Sequence, residues 1–98
     1  MDTIGFRKYL KNATYKHEGK NKNYTDNAIN SRINKAVDLE RDLGINLDDY
    51  VISVEKFTEL LKRIRNSNIE KLKHTPKSNA ARHYYAYKND GVLFPRIF

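Results

Sequence analysis

Apolar residues recur at steps of three and four positions along most of this 98-residue chain. Residues at that spacing lie on one face of an α-helix, so the pattern is typical of amphipathic helices. Two prolines and four glycines are too few for a turn-rich β architecture. We therefore predict an all-α fold, a small bundle of four to five helices that forms a single domain over residues 1–98.

Capping residues set the expected bounds of the helices. The start and stop signals are Asp2 or Thr3, Thr25 or Asp26, Gly44, Ser53, Thr75 with Pro76, and Asp90 with Gly91. They predict helices over about 2–12, 26–43, 54–65 and 76–89. The residues expected in the core are Phe6, Tyr9, Leu10, Ala13, Ile29, Ile33, Ala36, Val37, Leu43, Phe57, Leu60, Leu61, Ile64, Ala80, Ala81, Tyr84, Tyr85 and Tyr87.

Two segments do not fit the helical pattern. Residues 14–24 are rich in Lys and Asn and have almost nothing to bury, which predicts a mobile basic loop. Residues 92–98 form an unusually apolar tail, which predicts docking either onto the domain's own core or onto another protein. In the second case, a protein partner or a second copy of the chain would contact Leu93, Phe94, Ile97 and Phe98.

Several classes of chemistry find no support in the residues. The chain has no cysteine, and His17, His74 and His83 lack the spacing of metal ligands, so we expect neither a disulfide nor a metal site. No apolar run approaches the roughly 20 residues that span a bilayer, and the N-terminus lacks a signal-peptide pattern. No arrangement typical of a nucleophile or a phosphate loop is present. We expect a cytoplasmic, non-enzymatic protein without a cofactor, a membrane partner or a small-molecule substrate.

The charges are sorted along the chain into two basic zones around an acidic band. Residues 7–23 carry six bases against one acid, residues 38–59 carry seven acids against two bases, and residues 60–98 carry nine bases against two acids. The net charge is +7. A positive field confined to part of a surface is typical of a protein that binds a polyanion. The plainer alternative is a set of solvated helix faces.

One cluster of tyrosines invites a catalytic interpretation. Tyr84, Tyr85 and Tyr87 follow Arg82 and His83, and neighbouring cations are what a phenol nucleophile requires. The aromatic residues lie at helical spacing, however, which favours a packed helix face.

The acidic band invites a metal-site interpretation. Asp48 and Asp49 lie near Glu40 and Asp42, but their order does not fit the twelve-residue calcium loop. Acids near helix starts more often cap the helix or complement its dipole. The band is also suited to repelling DNA, and so orienting it, or to binding a basic partner.

Three helical segments carry residue patterns of their own: Phe6–Leu10, Thr25–Arg32 and Ala80–Lys88. Together they resemble the core-binding domain of tyrosine recombinases and phage integrases, a small SAM-like helical bundle. The first is similar to the family's opening aromatic-x-x-aromatic-Leu segment. The second is similar to its Ser/Thr-x-x-Thr-Ile-x-x-Tyr entry, with Ala28 at the Thr position and Arg32 at the Tyr position. The third resembles the closing helix, where Leu-Arg precedes paired aromatics.

The resemblance implies a module of a phage or mobile element, in a bacterial host cell, that clamps duplex DNA. The family's catalytic domain has no counterpart in these 98 residues, so the implied role excludes recombinase chemistry. By position, the resemblance points to the first half of helix two and to the basic residues of the last helix. With the two basic zones, it gives as nucleic-acid-binding candidates Lys16, Lys20, Lys22, Asn27, Asn30, Arg32, Lys62, Arg63, Arg65, Lys73, Lys77, Arg82 and Lys88.

We therefore predict a non-catalytic module that binds duplex DNA mainly through phosphates. A rival hypothesis is a small phage-encoded inhibitor or adaptor that binds a protein target, such as a nuclease or a nuclease–nucleic-acid complex, through the 92–98 tail. Salt separates the two, because binding through phosphates should weaken at least about tenfold between about 50 and 200 mM salt.

Overall fold

The structure, a computed structural model, describes residues 1–69 and 75–94 and is mainly helical. The bounds of the four predicted helices are confirmed to within one residue, which is the usual margin for helix ends. In chain order, the described elements are α1 (Thr3–Asn12), β1 (Thr14–His17), β2 (Lys20–Asn23), α2 (Asp26–Leu43), a short 3-10 turn (Leu47–Asp49), α3 (Val54–Asn66) and α4 (Pro76–Lys88).

Local capping explains why the helices start where they do. The side chains of Asp2, Thr25 and Ser53 each accept a hydrogen bond from the backbone N–H three residues further on, at 2.9–3.1 Å. Each bond satisfies a donor that a helix start otherwise leaves without an acceptor. Helix α4 differs, because Pro76 occupies its first turn and the Thr75 side chain makes no capping bond. The fixed φ of proline replaces the cap there.

Residues 14–24, predicted as a mobile basic loop, contain two β-strands. Strands β1 and β2 pair antiparallel through a two-residue turn at Glu18 and Gly19, which have φ values of 53° and 76°. Two consecutive positive φ values are typical of the tight hairpin turn whose twist matches its strands. The all-α prediction is therefore wrong in this segment, which is a β-hairpin. The cross-strand pairs are Thr14 with Asn23, Tyr15 with Lys22, Lys16 with Asn21, and His17 with Lys20.

Helix α2 packs chiefly against α4 through a buried stripe of Ile29, Ile33, Ala36 and Leu39. Val37 is predicted in that stripe, but it is 40% exposed, whereas Leu39 is fully buried. Both residues fit helical periodicity, because Val37 lies four residues after Ile33 and Leu39 lies three after Ala36. The position of α4 decides between them, and a single helix's pattern does not contain that information.

Aromatic rings fill the centre of the core around α4. The ring of Tyr84 meets Phe6 edge to face at a centroid distance of 5.1 Å, and Tyr85 lies 4.8 Å from Phe57. Tyr84 is fully buried, and burial raises its pKa. The prediction of a packed tyrosine face is confirmed for Tyr84 and Tyr85. The ring of Phe94 packs on the same two residues of this cluster, at 4.8 Å from Phe57 and 5.2 Å from Tyr85.

The start of α1 is fastened to α4 by a network around Asp2. The Asp2 carboxylate accepts a hydrogen bond from the Tyr87 hydroxyl at 2.7 Å, and this bond lowers the pKa of Asp2. The backbone N–H of Asp2 donates to the Tyr84 hydroxyl, which in turn donates to Asp48. Gly5 permits this arrangement, because a Cβ at that position would overlap the Tyr87 hydroxyl and the Asp2 carboxylate.

Candidate nucleic-acid interface

The hairpin of residues 14–23, here called the basic ribbon, presents all eight of its strand residues to solvent. Cross-strand partners project from the same face of an antiparallel pair, and residues two apart in a strand do as well. Tyr15, His17, Lys20 and Lys22 therefore share one face, and Lys16 lies on the other. Both faces of the ribbon carry positive charge.

Two tyrosines attach the basic ribbon to the helices. The ring centroid of Tyr15 lies 4.9 Å from that of Tyr24, and the Tyr24 hydroxyl lies 3.1 Å from Nε2 of His83 on α4. An isolated two-stranded hairpin is marginally stable in water, so contacts of this kind are needed to hold it. The face that carries Lys20 and Lys22 is therefore also the face that approaches the helices through Tyr15.

A pocket of about 520 Å³ opens where the basic ribbon meets the helices. We call it the hairpin pocket. It contains two arginines, and none of the described residues that line it is acidic. Its lining is Tyr15, Tyr24, Thr25, Ala28, Arg32, Asn79, Arg82, His83, Leu93 and Phe94.

Arg32 enters the hairpin pocket without an acid to neutralise it. Its Cζ lies 5.2 Å from the centroid of the Tyr24 ring, a cation–π contact. Its Nε is shielded from solvent and has no hydrogen-bond partner. Within the ranges 1–69 and 75–94, no carboxylate lies within ion-pairing distance of this guanidinium. Arg32 is thus a largely sheltered cation for which the described residues provide no acid, and its Nε has no acceptor among them.

His83 adds a neutral imidazole beside that cation. Its Nδ1 lies 2.7 Å from the carbonyl oxygen of Asn79, which can only accept, so Nδ1 carries the proton and Nε2 accepts from the Tyr24 hydroxyl. Nη1 of Arg32 lies 3.1 Å from the same Nδ1, and two donors do not form a hydrogen bond. Burial lowers the pKa of His83; the Asn79 bond offsets part of this effect, and the charges of Arg32 and Arg82 lower the pKa further.

The lysines of the first basic zone are free to meet a ligand. Five of them are exposed, and in the described part of the chain none of their ammonium groups has a hydrogen bond, an ion pair or a ring contact. Helix α1 and the basic ribbon carry them in one continuous stretch, because only Ala13 separates the two elements. These lysines are Lys8, Lys11, Lys16, Lys20 and Lys22.

Several predicted cations of the second zone are instead part of the fold. Lys77 pairs with Asp42 at 2.8 Å, and Nη2 of Arg63 donates to the carbonyl of Leu43 at 2.9 Å, near the end of α2. Arg82 is only 6% exposed. It lines the hairpin pocket and is not part of an outer basic surface, so its predicted contact with nucleic acid stays a prediction. The roles of Lys77 and Arg63 are structural in this conformation.

The remaining predicted cations of the second zone fall into three groups. Lys88 is exposed, but its Nζ lies 4.9 Å from the ring centroid of Tyr87. Lys62 and Arg65 are exposed on α3. Lys73 lies outside the described residues. Of the described cations of this zone, Lys62, Arg65 and Lys88 are therefore exposed, and their predicted contact with nucleic acid stays a prediction.

Asn27 and Asn30 are both exposed on the first half of α2, as a DNA-facing surface requires. They lie three residues apart and so share a helix side. Arg7 of α1 donates a hydrogen bond to the Asn30 side chain, which joins α1 to this surface. The sequence contains no signal that pairs Arg7 with α2. Arg32 lies on the other flank of the buried stripe and turns into the hairpin pocket.

The apolar tail divides at Phe94 in the described part. Phe94 is 5% exposed and belongs to the core, so its prediction as a contact for a protein partner is wrong. Leu93 is 53% exposed and remains available. The other two predicted contacts, Ile97 and Phe98, lie outside the described residues. The alternative of docking onto the domain's own core is confirmed for Phe94.

Most of the contacts given for the acidic band are hydrogen bonds and ion pairs within or between the helices. The Glu40 carboxylate accepts the backbone N–H of Leu47 at 2.8 Å, Asp38 pairs with Arg41 on the same helix, and Lys77 lowers the pKa of Asp42. Residues 1–69 and 75–94 contain no group of three or more side chains suited to a metal ion. Nor do they contain a helix long and apolar enough to cross a membrane.

Comparison with family models, with curated proteins and with solved structures finds no match for this chain. The integrase-type assignment therefore stays a prediction, as do DNA binding and the absence of catalysis. Two features that sequence reasoning missed define the candidate site, namely the basic ribbon and the hairpin pocket. Their only signal in the sequence is the alternation around Tyr15 followed by Glu18-Gly19, a sequence suited to a tight turn.

Proposed function

We propose that this protein binds duplex DNA through backbone phosphates, with the basic ribbon as its principal contact. One observation carries the proposal: Lys16, Lys20 and Lys22 are exposed on a two-stranded hairpin, and no acid within the described ranges pairs with them. A free ammonium group gains the full electrostatic attraction to a phosphate. An ammonium group that is already paired must first break its ion pair with an acid.

The shape of the basic ribbon supports the same proposal. The major groove of B-DNA is about 12 Å wide and admits a two-stranded β-ribbon. Lys20 and Lys22 lie on one face of the ribbon and Lys16 lies on the other, so either face brings a cation toward a duplex. Lys8 and Lys11 of α1 extend the positive surface beyond the base of the ribbon.

The test is the salt dependence of binding to a closed DNA dumbbell, a duplex without strand ends, measured by fluorescence anisotropy. Affinity should fall at least about tenfold between about 50 and 200 mM salt, with a slope of about −0.9 per phosphate contacted. Replacing Lys16, Lys20 and Lys22 together with Gln should reduce that slope by about 2–3, because three phosphates are no longer neutralised.

The matched control removes the same charge from α3. The triple variant Lys56→Gln, Lys62→Gln and Arg65→Gln has the same net charge as the ribbon variant. It should retain most of the wild-type slope. Equal losses in the two variants would show that net charge alone explains binding, and no binding of the wild type at low salt would refute the proposal outright.

The integrase-type resemblance is part of the proposal and gives its setting, a phage or mobile element. The inhibitor or adaptor hypothesis keeps one supporting observation, the exposure of Val92 and Leu93 just before Phe94. It predicts that Leu93→Asp abolishes capture of a protein target while leaving dumbbell binding unchanged. Loss of neither activity in that variant would remove the support.

A further inference from the structure

We propose that the hairpin pocket binds a terminal phosphate that is attached to a nucleoside, with Arg32 as its main cation. The ligand chemistry is a phosphomonoester next to a nucleobase, supplied either by a DNA strand end or by a free nucleotide. The strand-end case deepens the proposed function and rests on it, whereas the free-nucleotide case does not.

The need for an anion comes from Arg32. A guanidinium has five donors, and here Nε is sheltered and without a partner, while Nη1 faces a protonated ring nitrogen of His83. A buried donor without an acceptor is unfavourable, and charge-assisted bonds to phosphate are among the strongest in proteins. The two acids nearest in sequence, Asp26 and Asp38, do not line the pocket. A bound phosphate would supply the acceptors that the described residues do not.

The pocket suits a terminal phosphate better than a phosphate within a duplex. A duplex phosphate has a sugar on each side and meets side chains that protrude, whereas Arg32 is recessed between Tyr24 and His83. A phosphomonoester carries a charge of about −1.5 to −2 at pH 7, and the described lining residues include two arginines and no acid. The volume of about 520 Å³ lies within the range of about 300–1,000 Å³ for small-ligand pockets.

The two tyrosines supply the second half of the recognition. Tyr15 is 39% exposed and lines the pocket beside Tyr24, so a ring face is available to an unstacked base. Stacking on an aromatic side chain is favourable for every base and does not depend on sequence. Lys20 and Lys22 share the ribbon face of Tyr15, so a strand whose end occupies the pocket would continue along these lysines.

The first experiment uses the full chain and free ligands. Calorimetry compares 5′-dAMP, inorganic phosphate and deoxyadenosine, which lacks the phosphate. We expect saturable binding of 5′-dAMP, weaker binding of phosphate and none of deoxyadenosine. Arg32→Gln should weaken 5′-dAMP binding about tenfold or more, since it removes charge-assisted hydrogen bonds. Arg41→Gln removes the same charge from an exposed position on the same helix and should leave 5′-dAMP binding unchanged.

A measurement on the wild-type protein tests the proposal even if the Arg32 variant does not fold. The charged groups that face His83 are Arg32 and Arg82, and both disfavour its protonated form. A phosphate placed between them should raise the pKa of His83, observed in its ring resonances by NMR during a pH titration. Titrations with deoxyadenosine should leave that pKa unchanged. An unchanged pKa with saturating 5′-dAMP would overturn the proposal.

The second experiment separates the two sources of the phosphate. Strands of one sequence with a 5′-phosphate or a 5′-hydroxyl on a short overhang are compared with the closed dumbbell. A preference for the phosphorylated end that Arg32→Gln removes supports the strand-end source. Binding of 5′-dAMP without that preference supports the free-nucleotide source. If neither 5′-dAMP nor the phosphorylated end is favoured, the proposal fails, and dumbbell binding still decides the proposed function separately.

Discussion

The two basic zones of this chain contain the same residue types and use them in opposite ways. In residues 7–23, the five lysines are exposed and free of partners in the described structure. In residues 60–94, Lys77 is paired with an acid, Arg63 binds a backbone carbonyl and Arg82 is buried. Charge counted along the sequence is larger in the second zone, but among the described residues a larger share of its cations is engaged within the fold.

The difference follows from the contacts that the side chains of each zone make. Helix ends leave backbone carbonyl groups unpaired, and α3 and α4 each have an apolar face to bury. Long cationic side chains therefore cover apolar surface and donate hydrogen bonds to carbonyl groups. A four-residue hairpin strand has no interior, and its side chains remain in water. The availability of a charge therefore depends on whether the neighbouring elements offer it an acid, a carbonyl group or an apolar surface.

The largest expected effect tests whether the second zone contributes to the hydrophobic core. Phe94→Ala should lower the free energy of unfolding by about 3–5 kcal/mol, because it removes a buried ring that packs on Phe57 and Tyr85. The neighbouring change Leu93→Ala, at an exposed position, should stay within about 0.5 kcal/mol. Urea unfolding measures both. Similar values for the two variants would place Phe94 outside the core.

The next effect compares the zones as DNA-binding surfaces at equal net charge. At about 0.1 M salt, Lys8→Gln with Lys11→Gln should lower affinity for the closed dumbbell by up to roughly tenfold for each phosphate that is no longer neutralised. Lys62→Gln with Lys88→Gln should change affinity by less than about twofold. Anisotropy titrations decide, and a larger reduction in the second pair would reverse the comparison.

A smaller effect concerns His83. Its pKa in the folded state is below the ordinary value of 6.5, so the unfolded chain binds the proton more readily. Stability should therefore fall as the pH drops below about 6.5 and level off once the folded state also takes up the proton. His83→Gln should flatten this dependence in urea unfolding between about pH 7 and 5. An equal slope in the variant would assign it to other groups.

The smallest effect concerns Asp42, whose pKa is lowered first by the hydrogen bond from Lys77. The stability that this pair contributes is present above the ordinary Asp pKa of 3.8 and disappears as the pH falls through the lower folded value. Lys77→Gln should return the pKa of Asp42 toward its ordinary value, as NMR titration would show. Lys62→Gln, which removes an exposed charge on α3, should leave that pKa in place.

Helix positions were predictable because their signals are local. Asp2, Thr25 and Ser53 cap helices within three residues of themselves, and Gly44 ends α2 with a left-handed φ of 63°. Each of these features depends on neighbours in sequence alone. The same reasoning predicted the buried faces of α1 and α3 through residues such as Phe6.

The candidate site was less predictable because it depends on interactions between distant residues. Tyr15 has no buried partner in its own segment, and it becomes part of a site only when Tyr24 reaches His83 on α4. Arg32 and Arg82 lie 50 positions apart, and their shared pocket arises from the packing of α2 on α4. Residue spacing along one helix contains neither fact.

Gly5 lies in α1, the helix that packs against α4 and leads directly into the basic ribbon. No methyl group fits between α1 and the hydroxyl of Tyr87, and α1 continues into the hairpin after a single residue. A methyl group at this position would displace the Tyr87 hydroxyl or the Asp2 carboxylate, whose hydrogen bond joins the start of α1 to α4. Glycine at this one position thus lets α1, and the ribbon that follows it, stay fastened to α4.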